Sequence, residues 1–266
     1  MMRRAPLELS GLSKTFLTPD GPVVALENVQ AEIYDGEFVC ILGHSGCGKS
    51  TVLSIIAGLQ QATLGGVVID GREVTETGSD RAVVFQAPAL FPWLTARDNV
   101  ALAIWSRSRR ASRRSRLEQA TRYLELVGID DVAGELPLQL SLGTQQCVSL
   151  ARALAMEPRF LLLDEPFSML DSMTRFALQD TLLRVWETNR KTVVMVTHDI
   201  DEALYLADRL ILMTDGPSSR VGEVVAVPFA RPRRRADVLA DADHLGYRRR
   251  VMEFLEHHAR QSTSAA

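Results

Sequence analysis

The chain has 266 residues, of which 46% are hydrophobic, and this is enough to form the core of one large domain. Its net charge of −3 points neither to nucleic acid nor to an acidic partner, and its three cysteines (Cys40, Cys47, Cys147) lack the spacing of a zinc site or a disulfide scaffold. We recognise no signal peptide and no apolar run of the roughly 20 residues that a membrane span needs, so we expect any membrane role to depend on a partner.

The first third of the chain reads as strands separated by turn residues. The predicted strands, rich in Val, Ile and Leu, are Leu7–Leu12, Val23–Ile33, Glu37–Leu42, Val67–Asp70 and Ala82–Phe85. The third strand runs directly into Gly43, and the apolar segment Val52–Ile56 follows as a helix. A strand, a glycine loop and a helix in this order are the context that a phosphate-binding loop requires.

Helical periodicity dominates from about residue 87 to residue 157. One predicted helix carries an apolar stripe at helical spacing, formed by Leu117, Ala120, Leu124 and Val127. Six arginines fall within Arg107–Arg116. We interpret this cluster as a solvated helix end or loop, with contact to anionic lipid headgroups as the alternative.

A strand-and-helix alternation returns from Phe160 onward. The predicted elements are the buried strand Phe160–Leu163, a helix over 172–188, the strand Thr192–Val196, a helix over 200–206 and the strand Arg209–Met213. After Val227, a tail of about 40 residues contains the basic clusters Arg231–Arg235 and Arg248–Arg250 and a helix through Phe254 and His258. This tail is too short to be an independent regulatory domain.

The glycine loop has the chemistry of a phosphate site. The eight residues from Gly43 to Ser50 fit the pattern G-x-x-x-x-G-K-[ST], and the loop with the next residue consists of Gly43, His44, Ser45, Gly46, Cys47, Gly48, Lys49, Ser50 and Thr51. The glycines let backbone N–H groups turn toward a phosphate, Lys49 brings a compact positive charge, and the Ser50 hydroxyl can bind Mg²⁺. A chance match is the alternative, but the flanking strand and helix argue against it. The loop predicts binding of ATP with Mg²⁺.

A phosphate loop needs a carboxylate that holds Mg²⁺, and the strand Phe160–Leu163 is followed by two of them. Asp164 is placed to coordinate the metal, and Glu165 can orient or deprotonate the attacking water. Taken alone, an Asp-Glu pair at the end of a strand is ordinary turn chemistry. Downstream of a phosphate loop it indicates a hydrolytic site.

Together these residues resemble the ABC ATPases over residues 7 to 227. The resemblance implies that Phe16 stacks on adenine, although it could equally be a core residue at the end of a strand. Gln86, in Val-Val-Phe-Gln, is similar to the glutamine that contacts Mg²⁺ and water and links the ATPase to its membrane partner. Asp171, in Ser-Met-Leu-Asp, matches the D-loop. His198, in Val-Thr-His-Asp, matches the switch histidine that contacts the γ-phosphate rather than a plain polar loop residue.

The family signature, usually Leu-Ser-Gly-Gly-Gln, is irregular here and reads Leu-Ser-Leu-Gly-Thr. Ser141 and Gly143 keep the hydroxyl and the free backbone N–H that bind the γ-phosphate held by a second subunit. Leu142 replaces the usual glycine and would be strained if this position required a positive φ. Cys147 stands where arginine is usual. We therefore consider weakened turnover at one of two sites as an alternative.

The resemblance implies an α/β fold with a P-loop core, an antiparallel β subdomain and an inserted α-helical subdomain at about 87–157. We expect an ATPase domain over 1–227 and a basic helical tail over 228–266. The implied partners are transmembrane permease subunits, a second ATPase subunit of the same or a paralogous sequence, and indirectly a periplasmic or extracellular solute-binding protein. The implied location is peripheral, at the cytoplasmic face of the bacterial inner membrane.

Several stretches are similar to the importers of nitrate, sulfonate and taurine, and the Asp-Gly-Pro and Val-Gly-Glu pieces favour nitrate-type members. We therefore predict ATP hydrolysis coupled to uptake of a small anion. One alternative is an ABC ATPase of DNA repair or translation without a membrane partner, but such chains usually carry paired ATPase domains or long coiled-coil insertions. A P-loop kinase or GTPase is the other, and it would lack the signature and the switch histidine.

Overall fold

The computed structural model describes residues 5–264, with side chains described through residue 258. The strands are β1 (Leu7–Thr18), β2 (Gly21–Ile33), β3 (Phe38–Leu42), β4 (Leu64–Ile69), β5 (Arg72–Glu73), β6 (Arg81–Val84), β7 (Phe160–Asp164), β8 (Thr192–Thr197), β9 (Arg209–Met213) and β10 (Val221–Ala226). The helices are α1 (Lys49–Ile56), α2 (Ala96–Arg107), α3 (Arg113–Val127), α4 (Leu142–Ala155), α5 (Ser172–Thr188), α6 (Ile200–Leu206), α7 (Arg235–Ala240) and α8 (His244–Ser264).

The chain divides into two compact units. The discontinuous unit combines the residues up to Thr77 with those from Thr192 onward, and the inserted unit is Gly78–Lys191. The predicted helical stretch lies within the inserted unit, which also contains β6, β7 and α5.

The discontinuous unit contains an antiparallel sheet with the strand order β2-β1-β4-β5. In β1, the buried residues Leu7 and Leu9 alternate with the exposed Glu8. This alternation follows because successive side chains of a strand point to opposite faces of the sheet. The expected antiparallel part near the N-terminus is therefore present.

The same unit contains a mainly parallel group of strands in the order β10-β9-β3-β8. Strand β3 pairs in parallel with β8 and β9, and its last residue, Leu42, lies opposite Thr197 of β8 and Leu212 of β9. All residues of β3 and β8 are buried, which explains their continuous apolar sequences. Because parallel strands end at one edge, the segments that begin at Gly43, His198 and Thr214 leave this edge side by side.

In the inserted unit, β6 and β7 form a parallel pair in which Val84 lies opposite Leu163. The segments that follow these two strands therefore start from neighbouring positions. Three helices, α2, α3 and α4, pack against one another in this unit. Of the predicted apolar stripe on α3, Ala120, Leu124 and Val127 are buried.

The arginine-rich segment near residue 110 joins two helices, because α2 ends at Arg107 and α3 begins at Arg113. Arg114 is almost fully exposed and pairs with Glu118 one turn further along α3, at 2.9 Å. The exposure of Arg114 agrees with the solvated interpretation of the cluster, whereas Arg107 is largely covered and pairs with Glu157. No helix in the described part of the chain combines the length and apolar character that crossing a membrane would require.

The first basic cluster of the tail has a structural role that composition did not reveal. Arg233 is 6% exposed and donates to the carbonyl oxygens of Tyr205, at 3.0 Å, and Ala207 at the end of α6. Arg231 pairs with the Asp208 carboxylate at 2.8 Å. A cation at a helix C-terminus satisfies carbonyls that have no partner within the helix. These arginines therefore attach the tail to the rest of the discontinuous unit.

The sequence analysis did not predict three elements. Strand β5 has only two residues, β10 pairs antiparallel with β9, with Val225 opposite Leu210, and α7 covers six residues after the first basic cluster. All three are short, and β10 contains a glycine that weakens its strand pattern.

Candidate functional site

The phosphate loop lies between β3 and α1, as its sequence predicts. Helix α1 begins at Lys49, and its N-terminal cap is Gly48 with a φ of 95°. Gly46 also has a positive φ of 83°. Two left-handed positions turn successive N–H groups inward, so the loop and the first turn of α1 together form an anion-binding concavity.

Lys49 is buried, with 4% of its surface exposed. Its Nζ donates to the carbonyl oxygens of Gly43 and His44, both at 2.8 Å. The Cys47 N–H also donates to the His44 carbonyl, at 3.3 Å. The ammonium thus spans the loop and holds its first residues together. A planar guanidinium cannot take the place of this compact ammonium.

The glycine at the start of the loop is required by close packing. A Cβ added to Gly43 would lie 2.5 Å from Cys47 Sγ, whose side chain fills the space above it. A Cβ on Gly48 would lie 2.6 Å from Leu26 Cδ2, in addition to its left-handed backbone. Ser45 and Ser50 are exposed, and Thr51 is half-buried in the first turn of α1.

The two acidic residues of the predicted hydrolytic site lie at the end of β7. Asp164 is the last residue of the strand, and Glu165 follows it with a φ of 44°. A left-handed conformation is uncommon for a residue with a Cβ, and such conformations cluster at functional sites. The turn after β7 therefore orients the Glu165 side chain, and the left-handed conformation of this residue costs backbone energy.

Gln86 is connected to the segment that carries Glu165. Its Nε2 donates to Ser168 Oγ at 3.1 Å, and Ser168 Oγ donates to the Glu165 carbonyl oxygen at 3.0 Å. The Ser168 N–H donates to the same carbonyl at 3.2 Å. Sequence reasoning missed Ser168, although a serine three residues after an acidic turn is a common turn signal.

His198 lies in the discontinuous unit, directly after the last residue of β8. It is exposed. The next residue, Asp199, caps α6 by accepting from the Glu202 N–H at 3.0 Å. The cap holds the turn that presents His198.

The signature segment forms the start of α4. Ser141 is the N-terminal cap, and its Oγ accepts from the Thr144 N–H at 3.1 Å. The expectation that Leu142 could be strained is wrong, because it is the first residue of the helix and is absent from the positive-φ residues of the described chain. Any residue with ordinary helical backbone angles fits this position, so the leucine costs the segment nothing in backbone energy.

Gly143 is a glycine because α5 approaches closely. A Cβ at this position would lie 2.2 Å from Cγ2 of Thr174. Thr174 is anchored in turn, since its N–H donates to Asp171 Oδ1 at 3.1 Å. The glycine therefore allows the starts of α4 and α5 to meet.

We expect Gly143→Ala to lower the free energy of unfolding by about 1–3 kcal/mol, the usual cost of overpacking. Thr174→Ser keeps the hydroxyl and removes the methyl group that causes the clash, so the double variant should recover most of the loss. Urea unfolding of the two single variants and the double variant measures this. Additive effects of the two substitutions would contradict the contact.

Asp171 caps α5 with its carboxylate, which accepts from the N–H groups of Met173 and Thr174 at 3.1 Å each. Hydrogen bonds from the Thr174 side chain and from these amides hold the pKa of Asp171 below its usual value. The carboxylate is therefore ionised at neutral pH. The predicted D-loop residue has a structural role as a helix cap.

Phe16 lies near the end of β1, opposite Val23 of β2, and is 37% exposed. The Nζ of Lys14 is 5.2 Å from the centre of its ring. An exposed ring beside a cation is available for stacking on a base. The alternative, a buried core residue, does not fit this exposure.

Two residues of α4 that the sequence did not single out hold the segment after β6. Gln146 donates to the Phe85 carbonyl oxygen at 3.0 Å. Arg152 donates to the carbonyls of Pro88, at 3.2 Å, and Ala89, at 2.9 Å. Ala89 has a left-handed φ of 47°. The signature helix thus fixes the backbone on both sides of Gln86.

The three thiols lie in environments that disfavour the thiolate. Burial raises the pKa of Cys147 to about 11 and also raises that of Cys47. Cys40 is fully buried in β3, and burial raises its pKa well above the ordinary value. Since the thiolate is the reactive form, we expect low reactivity of these three cysteines in the native chain.

We expect native Cys147 to react slowly with iodoacetamide at pH 8. Its rate should continue to rise with pH above 9, where an unperturbed thiol levels off, because a raised pKa delays formation of the thiolate. Mass spectrometry of alkylated peptides measures the rate, with the urea-unfolded chain as the reference. Labelling of native Cys147 as fast as in the unfolded chain at pH 7 would contradict its raised pKa.

A glycine loop between a buried parallel strand and a helix N-terminus, in a chain with an acidic pair at the end of another parallel strand, defines a P-loop nucleotide-binding protein. The sequence matches the ABC transporter family over residues 26–168. The chain therefore belongs to the ABC transporter family.

Individual relatives agree with this assignment. The chain is 48% identical to the nitrate import ATP-binding protein NrtD of Synechococcus elongatus, over 94% of this chain and 91% of the relative. It is 45% identical to the bicarbonate transport ATP-binding protein CmpD of Synechocystis sp., over 94% of this chain and 88% of the relative. A dimeric ATP-binding cassette in a post-hydrolysis state, bound to ADP and Pi, matches with a TM-score of 0.76 and 36% identity, over 84% of this chain and 100% of that one.

These comparisons confirm the predicted family, the fold class and the ATP-hydrolysing activity. The fold places most of the predicted residues at strand ends and helix starts. Within the discontinuous unit, Gly43–Thr51 and His198 leave one sheet edge. Within the inserted unit, Gln86 is linked through Ser168 to the Glu165 backbone.

Proposed function

We propose that this chain binds ATP at Gly43–Thr51 and hydrolyses it to drive import of a small inorganic anion, with nitrate as the first candidate. The observation that carries the site is the loop itself, in which Lys49 is buried and two glycines adopt left-handed angles at a helix N-terminus. Backbone N–H groups of this loop bind the phosphates, and Lys49 neutralises their charge. Phe16 stacks on the adenine.

Mg²⁺ fits the donor types that the chain offers. Ser50 provides a hydroxyl, Asp164 a carboxylate and Gln86 an amide oxygen, and Mg²⁺ prefers such hard oxygen ligands. No group of three or more His, Cys, Asp or Glu side chains able to hold a metal occurs in the described residues. This suits an ion that is bound together with substrate phosphates rather than in a protein cage. When bound, it supplies charge neutralisation at the transferring phosphate.

The hydrolytic roles follow from the chemistry of the strand-end residues. Glu165 orients the attacking water and accepts its proton, and the left-handed backbone supports this placement of its side chain. His198 contacts the γ-phosphate from the turn after β8. Gln86 contacts the water and transmits the state of the site to a permease.

The active form is a dimer in which each chain completes its partner's site. Ser141 and Gly143 lie at the start of α4, where a hydroxyl and free N–H groups favour an anion. Asp171 caps the neighbouring helix α5 in the same unit. The unstrained Leu142 supports a working signature rather than a weakened one. The second subunit is either this chain or a paralogue.

The choice of solute depends on the relatives, since the solute does not touch the ATPase. Nitrate and bicarbonate are both small oxyanions, and the two relatives that carry those names differ by only three percentage points in identity to this chain, at 48% and 45%. We place the chain at the cytoplasmic face of the inner membrane, bound to permease subunits and served by a solute-binding protein. Sulfonate and taurine become less favoured, and the nitrate and bicarbonate relatives favour a transport ATPase over a DNA-repair or translation ATPase.

Uptake by a deletion strain tests the solute. We expect loss of this chain to abolish uptake of ¹⁵N-nitrate from micromolar concentrations, and expression of the intact chain to restore it. Normal nitrate uptake together with lost ¹⁴C-bicarbonate uptake would assign bicarbonate instead. Normal uptake of both anions would overturn the proposed solute class.

A further inference from the structure

The C-terminal helix α8 reaches the phosphate loop. His44 Nε2 is 3.0 Å from the carbonyl oxygen of Leu255, a contact that joins the second residue of the loop to the fourth turn of the helix. A histidine ring nitrogen can only donate to a carbonyl, so the tautomer that carries a proton on Nε2 is fixed by this bond. One turn earlier on α8, Val251 is completely buried.

The surface that receives α8 includes α6 and β9 together with the Val-Gly-Glu segment at the start of β10. A Cβ at Gly222 would lie 2.5 Å from Cζ of Phe254, so the absence of a side chain makes room for the phenylalanine ring. The next residue, Glu223, accepts from Arg250 Nε at 2.8 Å. Arg248 pairs with Asp201 at 3.0 Å. Arg250 of the second basic cluster therefore joins α8 to the Val-Gly-Glu segment, and Arg248 of the same cluster joins α8 to α6.

A second contact with the phosphate loop comes from the turn after β9. A Cβ at Gly216 would be in van der Waals contact with the loop, 3.6 Å from the Gly46 carbonyl oxygen. Burial, His257 and Arg220 lower the pKa of His258 on α8, and Asp215 of this turn opposes them. The turn after β9 therefore lies near both the phosphate loop and the end of α8.

We propose that α8 is a positioning element for the phosphate loop and that His44 is the positioning residue through which it acts. The Leu255 carbonyl holds the His44 side chain, and the His44 backbone carbonyl accepts from the Lys49 ammonium at 2.8 Å. A shift of His44 therefore moves the anchor of Lys49. Displacement of α8 loosens the loop and weakens ATP binding, which makes the tail a determinant of nucleotide affinity.

The first test compares two substitutions of His44 in the full chain. His44→Leu removes the donor, and we expect the Kd for ATP to rise about three- to tenfold, the value of one partly buried hydrogen bond. His44→Gln keeps an N–H donor and should recover most of the affinity. Titration with fluorescent ATP measures both, and thermal unfolding shows whether the variants remain folded.

The second test leaves the loop unchanged and moves α8. Gly222→Ala pushes against Phe254, and we expect a similar rise in the Kd for ATP, which Phe254→Ala in the same chain should reverse. Glu253→Ala alters an exposed residue of the same helix and is the matched control, with unchanged affinity. In the assembled transporter, KM for ATP should rise while kcat at saturation stays the same, because a loss of folded protein would lower kcat instead.

The proposal rests on the proposed function of Gly43–Thr51 as the ATP site. If the wild-type chain fails to bind ATP, that assignment fails. If the wild-type chain binds ATP, and folded His44→Leu and Gly222→Ala bind it equally well, the site stands and the role of α8 is overturned.

Discussion

Lys49→Ala is expected to reduce ATP affinity by about 100-fold or more and to abolish measurable turnover. The ammonium makes two charge-assisted hydrogen bonds inside the loop and would make further ones to phosphate, and each bond of this kind contributes about 1.5–3 kcal/mol. The alanine variant loses both the charge and the brace across the loop. Titration with fluorescent ATP and release of inorganic phosphate measure the two effects.

Another lysine provides a matched control for Lys49. The chain has only three lysines, and one of them lies far from the loop in sequence. Lys191 donates to the Pro158 carbonyl oxygen at 2.8 Å and belongs to the inserted unit. Lys191→Ala should therefore bind and hydrolyse ATP as the wild-type chain does. We expect Lys49→Arg to fail like Lys49→Ala, since the buried position suits a compact cation. Wild-type affinity in Lys49→Ala would show that nucleotide binds elsewhere.

Glu165→Gln is expected to keep ATP binding and to lower turnover by roughly 10²–10⁴-fold, the range for loss of a positioned proton acceptor. The amide has nearly the same shape as the carboxylate, so the turn after β7 and its bond from Ser168 should be preserved. The variant cannot accept the proton of the attacking water. It should therefore accumulate in an ATP-bound state, which size-exclusion chromatography would detect as a nucleotide-dependent dimer.

Glu125→Gln, an exposed carboxylate on α3, controls for the change of charge. It should hydrolyse ATP at the wild-type rate. If Glu165→Gln also retained that rate, Glu165 would not be the catalytic acceptor. Loss of ATP binding in Glu165→Gln would instead indicate a structural role for this carboxylate.

The nucleotide site was predictable because its information is local. Gly43–Thr51 combines glycines, a lysine and hydroxyl groups within nine residues, and it lies between a continuously apolar strand and a helix rich in apolar residues. The strand-end positions of Asp164 and His198 follow in the same way from the buried runs that precede them. Burial on both faces of a parallel sheet imposes such runs, so they can be read without knowing the strand order.

The conformation and packing of the signature segment could be derived only from the tertiary structure. Its departure from the usual sequence suggested strain at Leu142, but backbone angles depend on where the helix begins. Ser141 is the cap, so Leu142 takes helical angles. The requirement for Gly143 comes from Thr174, a residue 31 positions later, and no local pattern indicates that contact. Ser168, Gln146 and Arg152 were likewise invisible as partners of the segment around Gln86.

The two basic clusters of the tail show most clearly that the sequence does not indicate contacts between distant segments. Composition alone describes Arg231–Arg235 and Arg248–Arg250 as charge runs, which are usually solvated. In the fold, Arg233 is buried on carbonyls of α6, and Arg250 pairs with Glu223 where α8 meets β10. Local patterns of apolar residues, glycines and caps were therefore enough to specify most of the strands, the phosphate loop and its chemistry. Only the tertiary structure decided which distant residues support that loop, because contacts between segments far apart in the chain leave no periodic trace in either one.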